Sequence, residues 1–204
     1  MKLLMLLSIC ATLLLSGSFD KVKITPEISY IYVYHKGKAV KVHRIQNTKH
    51  KITGEYAKIY RPGSSIQPIR MQAKVKTVGE VEVLNFMTQK ANKREGVVID
   101  VRPKSAYKKE SIPSAVNIPV SIKDDAVKIE KILSILGAKR MPNGTLDTQN
   151  AREILVYCDG LWSAKAAEFI KKFLELGYPA EKIYYYRGGF QMWKILGFTT
   201  VTNE

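Results

Sequence analysis

Short apolar segments alternate with amphipathic segments through the last two thirds of the chain, and this alternation constrains the fold most. GVVID (96–100), EILVY (153–157) and KIYYY (182–186) have the length and composition of buried strands. Apolar strands that alternate with helices predict an α/β fold with a parallel sheet covered on both faces. In such sheets, binding sites form at the carboxyl ends of strands.

The amphipathic segments between these strands predict four helices, in GEVEVLNFMTQ, DDAVKIEKILSILGA, SAKAAEFIKKFLELG and FQMWKIL. KVKTV (74–78), before the first of them, predicts a further short strand. In the first helix we expect Val81, Leu84 and Met87 to share the buried face. In the second we expect a face made of Val127, Ile129, Ile132, Leu133 and Leu136. Gly137 and Gly177 are placed to end the second and third helices.

The N-terminal part has a different pattern. Residues 27–46 predict two strands around a turn at 36–38. Residues 47–70 predict loop with one short strand around 57–60. We therefore expect a β-rich extension over 19–74, followed by the main domain over 75–204.

The chain is strongly basic, with a formal net charge of +15. Residues 19–74 contain 12 Lys and Arg against 3 Asp and Glu, whereas residues 75–204 contain 20 against 15. A balance this basic suggests nucleic acid, an anionic surface or small anionic substrates as partners. The extension has no nucleic-acid-binding motif, so we expect a solvated basic face and no nucleic acid partner.

The first residues, MKLLMLLSICATLLLSGSFD, have the pattern of a secretory signal peptide over 1–18. The apolar stretch from Leu3 to Leu15 is shorter than the 18 or so residues of a spanning helix. A lipoprotein modified at Cys10 and an uncleaved anchor are the alternatives. We expect an exported, periplasmic protein with no membrane span after cleavage. Cys158 is then the single cysteine of the mature chain, either buried or kept for chemistry.

Cys158 follows the strand EILVY and precedes a helix. Backbone N–H groups in such a turn, at the positive end of a helix dipole, favour a thiolate and lower a thiol's pKa. We expect Gly160 to supply the backbone angles that the turn needs, and Ser163 to cap the helix.

Three motifs, in order, resemble those of the rhodanese (sulfurtransferase) family. VIDVRPKSAYKKESIPSAVNIP resembles its first signature, a strand ending in Asp-x-Arg followed by Ile-Pro-x-Ala-x-Asn-Ile-Pro. VYCDGLWSAKAA is similar to its active-site loop, and YRGGFQMW to its closing Gly-Gly-x-x-x-Trp. The resemblance implies a three-layer rhodanese-like domain with a central parallel sheet flanked by helices, of the exported single-domain type with an N-terminal extension.

The resemblance also implies that Cys158 is the sulfur-accepting nucleophile, that no cofactor is needed, and that the following residues form the substrate cradle: Asp159, Gly160, Leu161, Trp162, Ser163 and Ala164. Arg102 is a further candidate for substrate binding, or it forms an ion pair with Asp100 that supports the loop. This sequence departs from the family at Asp159, where an Arg or Lys is common, and at Ser114, where Gly is usual. A carboxylate beside the cysteine opposes thiolate formation and the binding of a dianion such as thiosulfate.

Other chemistries fit the sequence less well. A Cys-His hydrolase needs a base near its nucleophile, and all three histidines lie in the extension. Their spacing matches no metal-ligand pattern, so we expect no metal site. A Cys-x5-Arg phosphatase needs Arg where Ala164 stands. Trp162 forms either a wall over the thiol or a surface-packed aromatic, and we expect Trp193 and the Gly188-Gly189 pair to serve packing and a turn.

The sequence thus predicts a sulfurtransferase that moves a sulfane sulfur through a Cys158 persulfide. The donor is thiosulfate, a polysulfide or a persulfide, and the acceptor is cyanide, a thiol or a partner protein. The alternative is a non-catalytic binding or sulfur-carrier module of the cell envelope.

Overall fold

A computed structural model describes residues 22–47, 49–57 and 66–204. The predicted signal peptide and Cys10 lie outside the described residues, as does most of the strand predicted at 57–60. Ala57, which is described, ends a 3-10 helix, Gly54–Ala57, so the chain does not begin a strand there.

A parallel five-stranded sheet forms the centre of the domain. In spatial order its strands are β3 (Lys76–Thr77), β9 (Ile183–Tyr186), β8 (Glu153–Tyr157), β4 (Gly96–Asp100) and β5 (Ala115–Asn117). All four strand pairs are parallel. The central strand β8 lies between β4 and β9, so its carboxyl end opens onto the middle of the sheet edge.

Helices cover both faces of this sheet, which gives the three predicted layers. They are α1 (Glu80–Phe86), α2 (Lys104–Lys109), α3 (Ala126–Ile135), α4 (Lys165–Glu175) and α5 (Gly189–Ile195). One hydrophobic cluster joins the sheet to α3 and α4, and a second joins it to α1 and α5. The predicted α/β fold is confirmed.

Short elements complete the chain. A π-helical turn, Met87–Ala91, continues α1, and 3-10 helices occupy Val120–Asp124 and Ala180–Lys182. Two short strands, β6 (Lys139–Arg140) and β7 (Leu146–Asp147), pair antiparallel after α3. Gly137 and Gly177 follow α3 and α4 with positive φ, as expected of glycines that end helices. Among the described residues, none of the helices has the length and apolar composition needed to cross a bilayer.

Two of the residues predicted to be buried face solvent instead. Val81 is 47% exposed, because the buried side of α1 carries Val83 and Leu84 and continues through Phe86 into the π-helical turn. Val127 is 81% exposed in the first turn of α3, whereas Ile129 and Leu133, further along the helix, are buried. In both helices an apolar valine near the first turn points away from the sheet.

The predicted hairpin of the extension is confirmed. Strands β1 (Tyr30–His35) and β2 (Lys38–His43) pair antiparallel around a Lys36-Gly37 turn. Val33 and Val42 are buried in the same hydrophobic cluster as α1 and α5. The hairpin therefore packs onto the main domain and shares its core.

His35 connects this hairpin to Ser114 and to the C-terminus. Its Nδ1 accepts from the backbone N–H of Ser114 at 3.2 Å, which leaves Nε2 to donate to Asn203 Oδ1 at 2.7 Å. Burial lowers the pKa of His35. The neutral ring thus holds the extension against the domain.

Ser114, which replaces the glycine usual in the resembling motif, has φ of +71°. This left-handed conformation costs a residue with a Cβ about 1–2 kcal/mol and costs glycine almost nothing. The hydrogen bond to His35 uses the backbone N–H of Ser114, which glycine retains. The usual glycine is thus explained by the backbone conformation, and the serine is a strained substitute.

We predict that Ser114→Gly raises the free energy of unfolding by about 0.5–1 kcal/mol, because the relieved strain exceeds the greater chain entropy of an unfolded glycine. Urea denaturation followed by circular dichroism measures the change. Ser105→Gly, an exposed site within α2, is the matched control and should lower stability by roughly 0.5–1 kcal/mol. Destabilisation by Ser114→Gly would contradict this explanation.

Candidate active site

Cys158 lies directly after β8, in the loop that leads to α4. We call residues 158–164 the Cys158 loop. Because the neighbouring strands β4 and β9 run parallel to β8, the loop lies at the carboxyl edge of the sheet, as predicted. Cys158 is a free cysteine and is 3% exposed.

Two polar side chains contact the Cys158 sulfur. The Ser163 hydroxyl donates a hydrogen bond to Sγ at 3.1 Å. The thiol in turn donates to Asp159 Oδ2 at 3.4 Å. Lys165, in the first turn of α4, places its Nζ 3.9 Å from the same carboxylate oxygen. The thiol therefore has a donor on one side and an acceptor on the other.

The environment of Cys158 favours the protonated thiol. Burial, followed by the negative charge of Asp159, raises the pKa of Cys158 to about 12. The hydrogen bonds from Ser163 and from the Asp159 backbone, and the charge of Lys165, act in the opposite direction but are smaller effects. The expectation that the loop lowers this pKa is therefore wrong, because loss of hydration outweighs the favourable dipoles.

Ser163 is not the cap of α4. The N-cap residue is Ala164, and α4 has no side-chain hydrogen bond at that position. The Ser163 hydroxyl is directed to the Cys158 sulfur instead. A serine at this position was predicted to stabilise the helix, whereas its hydroxyl donates to the Cys158 sulfur, a contact that acts to lower the pKa of Cys158.

The first turn of α5 supports the backbone of the Cys158 loop. The Phe190 N–H donates to the Cys158 carbonyl at 2.9 Å, and the Gln191 N–H donates to the Asp159 carbonyl at 2.7 Å. At Gly189, which has φ of +60°, a Cβ atom would lie 2.5 Å from the Cys158 carbonyl oxygen. Gly189 thus lets the first turn of α5 pack directly against the loop, consistent with the packing role expected of the Gly188-Gly189 pair.

The Gln191 side chain contacts two residues of the loop, Trp162 and Gly160. Its Oε1 accepts from Trp162 Nε1 at 3.0 Å. A Cβ atom at Gly160 would lie 2.6 Å from the same Oε1. Gly160 does not have positive φ, so the expected reason for this glycine was wrong. It is needed for the space that Gln191 and Trp162 occupy, not for unusual backbone angles.

Residues of the extension contact the Cys158 loop from the outside. The Gln67 N–H donates to the Leu161 carbonyl at 2.8 Å, and the Gln67 carbonyl accepts from Arg187 Nε at 2.8 Å. The Tyr56 carbonyl accepts from Gln191 Nε2 at 3.2 Å. The extension is therefore part of the structure that holds the loop.

Asp100 and Arg102 form a buried ion pair beneath the loop. Arg102 Nη2 lies 2.7 Å from Asp100 Oδ2, and Arg102 Nε lies 3.0 Å from Oδ1. The Tyr157 hydroxyl donates to Asp100 Oδ2 at 2.7 Å. Arg102 is 1% exposed, and its guanidinium also contacts the Tyr56 hydroxyl, the Glu110 carbonyl and the Phe190 ring. This geometry fits the structural alternative for Arg102, and its contact with substrate stays a prediction.

Comparison with known proteins gives the family. A family model described as the rhodanese-like domain matches residues 83–196, more than half of the chain. The chain belongs to the rhodanese-like domain family. The match begins near α1 and ends just after α5, so it includes the sheet edge and the Cys158 loop.

Several solved structures are similar to this rhodanese-like protein. The BH2092 protein from Bacillus halodurans is 20% identical with a TM-score of 0.46, covering 63% of this chain and 77% of that one. A rhodanese with anions from E. coli is 22% identical with a TM-score of 0.33, covering 52% and 98%. A rhodanese-related protein from Thermoplasma volcanium is 20% identical with a TM-score of 0.42, covering 62% and 97%. None of the curated proteins matches the sequence.

The structure brings the predicted residues of the rhodanese-like site together in one loop, with Arg102 apart from them in its ion pair. Sequence reasoning missed Gln191, Tyr56 and Gln67. Gln191 carried a signal, since it is a polar residue within the apolar stretch GFQMW. The sequence holds no such signal for Tyr56 and Gln67, because their contacts span more than 90 positions of sequence.

Across the ranges 22–47, 49–57 and 66–204 we find no group of three or more potential metal-ligating side chains.

We predict that native Cys158 reacts slowly with iodoacetamide at pH 7.5. Relative to an unfolded thiol with a pKa near 8.5, the raised pKa reduces the thiolate fraction roughly a thousandfold. Rates are compared for the native and guanidinium-unfolded chain carrying Cys10→Ser, so that Cys158 is the single thiol. Ser163→Ala should slow the native reaction further, because it removes a hydrogen bond to the sulfur. Equal native and unfolded rates would show that the thiol is not protected.

Proposed function

We propose that this rhodanese-like protein is a sulfurtransferase in which Cys158 accepts a sulfane sulfur and passes it on. The observation that carries the proposal is the position of a free cysteine in the loop between β8 and α4 of a rhodanese-like domain. The Ser163 hydroxyl and the backbone N–H of Asp159 both direct hydrogen-bond donors at this sulfur. Donors at the sulfur support the negative charge that develops on it during transfer.

The reaction has two half-steps, and neither needs a cofactor. In the first, the Cys158 sulfur forms a bond to the sulfane sulfur of the donor while the donor's own sulfur bond breaks. In the second, a nucleophilic acceptor, cyanide or a thiol, removes that sulfur and restores the cysteine. We propose thiosulfate, a polysulfide or a persulfide as the donor class, and a small molecule or a partner protein as the thiol acceptor.

The burial of Cys158 favours a second candidate function. A thiol that is 3% exposed and has a pKa of about 12 suits a non-catalytic binding module or a slow sulfur carrier. Such a module would present the loop surface to a partner without turnover. The sulfurtransferase and the binding module differ in whether Cys158 gains sulfur, and a slow carrier differs from the sulfurtransferase in the rate at which it passes the sulfur on.

We predict that the full-length chain carrying Cys10→Ser gains the mass of one sulfur atom when it is mixed with a polysulfide or a hydropersulfide. The gain should reverse on addition of cyanide or dithiothreitol, because both remove sulfane sulfur. Intact-mass spectrometry measures both changes.

The matched control is the same chain with Cys158→Ser. This variant removes the nucleophile and keeps a small polar side chain at the site. No gain by the Cys158-containing chain from any sulfane donor, or an equal gain by the Cys158→Ser chain, would contradict the sulfurtransferase proposal and favour the binding module.

A further inference from the structure

We propose that Asp159 is a catalytic residue of this site, the proton acceptor for the Cys158 thiol, and that the sulfur donor is a hydropersulfide rather than thiosulfate. The inference rests on the proposed sulfurtransferase function and names its proton acceptor and its donor class. Asp159 directly follows Cys158 in the loop, and its carboxylate contacts the Cys158 sulfur.

The hydrogen bonds at the sulfur give the direction of the proton. Ser163 Oγ donates to Sγ at 3.1 Å, so it occupies a lone pair of the sulfur. The thiol hydrogen is directed to Asp159 Oδ2 at 3.4 Å. A carboxylate is an acceptor when ionised, and this one is within reach of the proton that must leave before the sulfur can attack. Since burial keeps the thiol protonated, the reaction needs such an acceptor.

Lys165 lies beside the Asp159 carboxylate. Its Nζ lies 3.9 Å from the oxygen that faces the thiol, and the Asp159 side chain is 15% exposed. The charges of Asp159 and Lys165 act on the Cys158 thiol with opposite signs, and the Asp159 charge has the larger effect. Thiosulfate carries two negative charges and would have to approach the Asp159 carboxylate, whereas a protonated hydropersulfide carries none.

The proposed step balances without an outside oxidant or reductant. Asp159 Oδ2 takes the proton from Cys158, and Sγ forms a bond to the outer sulfur of a donor R–S–S–H. The bond between the two donor sulfurs breaks, and its electron pair leaves with R–S. The protonated Asp159 returns the proton to this leaving thiolate, so the products are the Cys158 hydropersulfide and R–S–H. The transferred sulfur remains a sulfane sulfur throughout.

The leaving groups of the two donors differ in their need for this proton. An alkyl thiolate is a strong base and leaves more readily when it is protonated. Sulfite, the leaving group of thiosulfate, is a much weaker base and gains little from the acid. Asp159 therefore assists transfer from a hydropersulfide and hinders transfer from thiosulfate.

The test compares Asp159→Asn with the parent chain carrying Cys10→Ser, using cysteine hydropersulfide and thiosulfate as separate donors. Single-turnover rates of sulfur gain at Cys158 are followed by quenched-flow intact mass. We expect Asp159→Asn to slow transfer from the hydropersulfide at least tenfold and to speed transfer from thiosulfate several-fold. Asp159→Glu, which keeps the carboxylate, should retain a preference for the hydropersulfide.

The pH profile separates proton transfer from a structural effect. With the hydropersulfide, the parent-to-Asn rate ratio should fall about tenfold per pH unit between pH 6 and 8, because the Asn variant must react through its thiolate. The ionisation of the donor cancels in this ratio. A pH-independent ratio would overturn the proposal.

Other outcomes are equally decisive. Faster transfer from both donors in Asp159→Asn would show that Asp159 only repels the thiolate. Slower transfer from both donors would show a structural role for Asp159. Either result overturns the inference and leaves the sulfurtransferase function standing. No sulfur gain by the parent chain from either donor would overturn the inference, and no gain from a polysulfide as well would overturn the sulfurtransferase function.

Discussion

The buried carboxylate of Asp100 organises the edge of the sheet on which the candidate site is built. It accepts hydrogen bonds from the Arg102 backbone and guanidinium and from the Tyr157 hydroxyl. Tyr157 is the residue before Cys158, so this carboxylate ties the end of β4 to the end of β8. Burial, followed by the charge of Asp100, raises the pKa of Tyr157 far above its usual value, which keeps the hydroxyl a donor. Removal of Asp100 would leave Arg102 charged and unpaired in the core, a change that typically costs about 3–5 kcal/mol.

The strongly periodic parts of the fold could be predicted from the sequence. The strand β8, the helix α4 and the position of Cys158 between them follow from local apolar patterns and a glycine that ends the helix. The errors came where tertiary contacts decide between local options. Val81 and Val127 are apolar and helical but lie on the solvent side, and the Ser163 hydroxyl contacts a sulfur instead of capping a helix.

The sequence predicted which residues form the Cys158 loop more fully than it predicted the pKa of Cys158. Loop position and the dipole of α4 both favour a thiolate, and these are visible in sequence. Burial is not, because Cys158 lies in the hydrophobic cluster that the sheet forms with α3 and α4, and only the tertiary structure assembles this cluster. The extension adds a further contact through Gln67. The resulting thiol is protected and protonated, so its reactivity depends on a proton acceptor in the loop itself.

The most direct test of this account gives the protein a choice of donors. The chain carrying Cys10→Ser is mixed with equal concentrations of thiosulfate and a hydropersulfide, and the outer sulfur of the hydropersulfide is labelled with sulfur-34. The reaction is stopped before the two donors exchange sulfur with each other. Peptide mass spectrometry then identifies the sulfur gained at Cys158. The account predicts that Cys158 carries the heavy isotope. Predominantly light sulfur at Cys158 would contradict the role assigned to Asp159, and the absence of added sulfur both here and with a polysulfide would contradict the sulfurtransferase function itself.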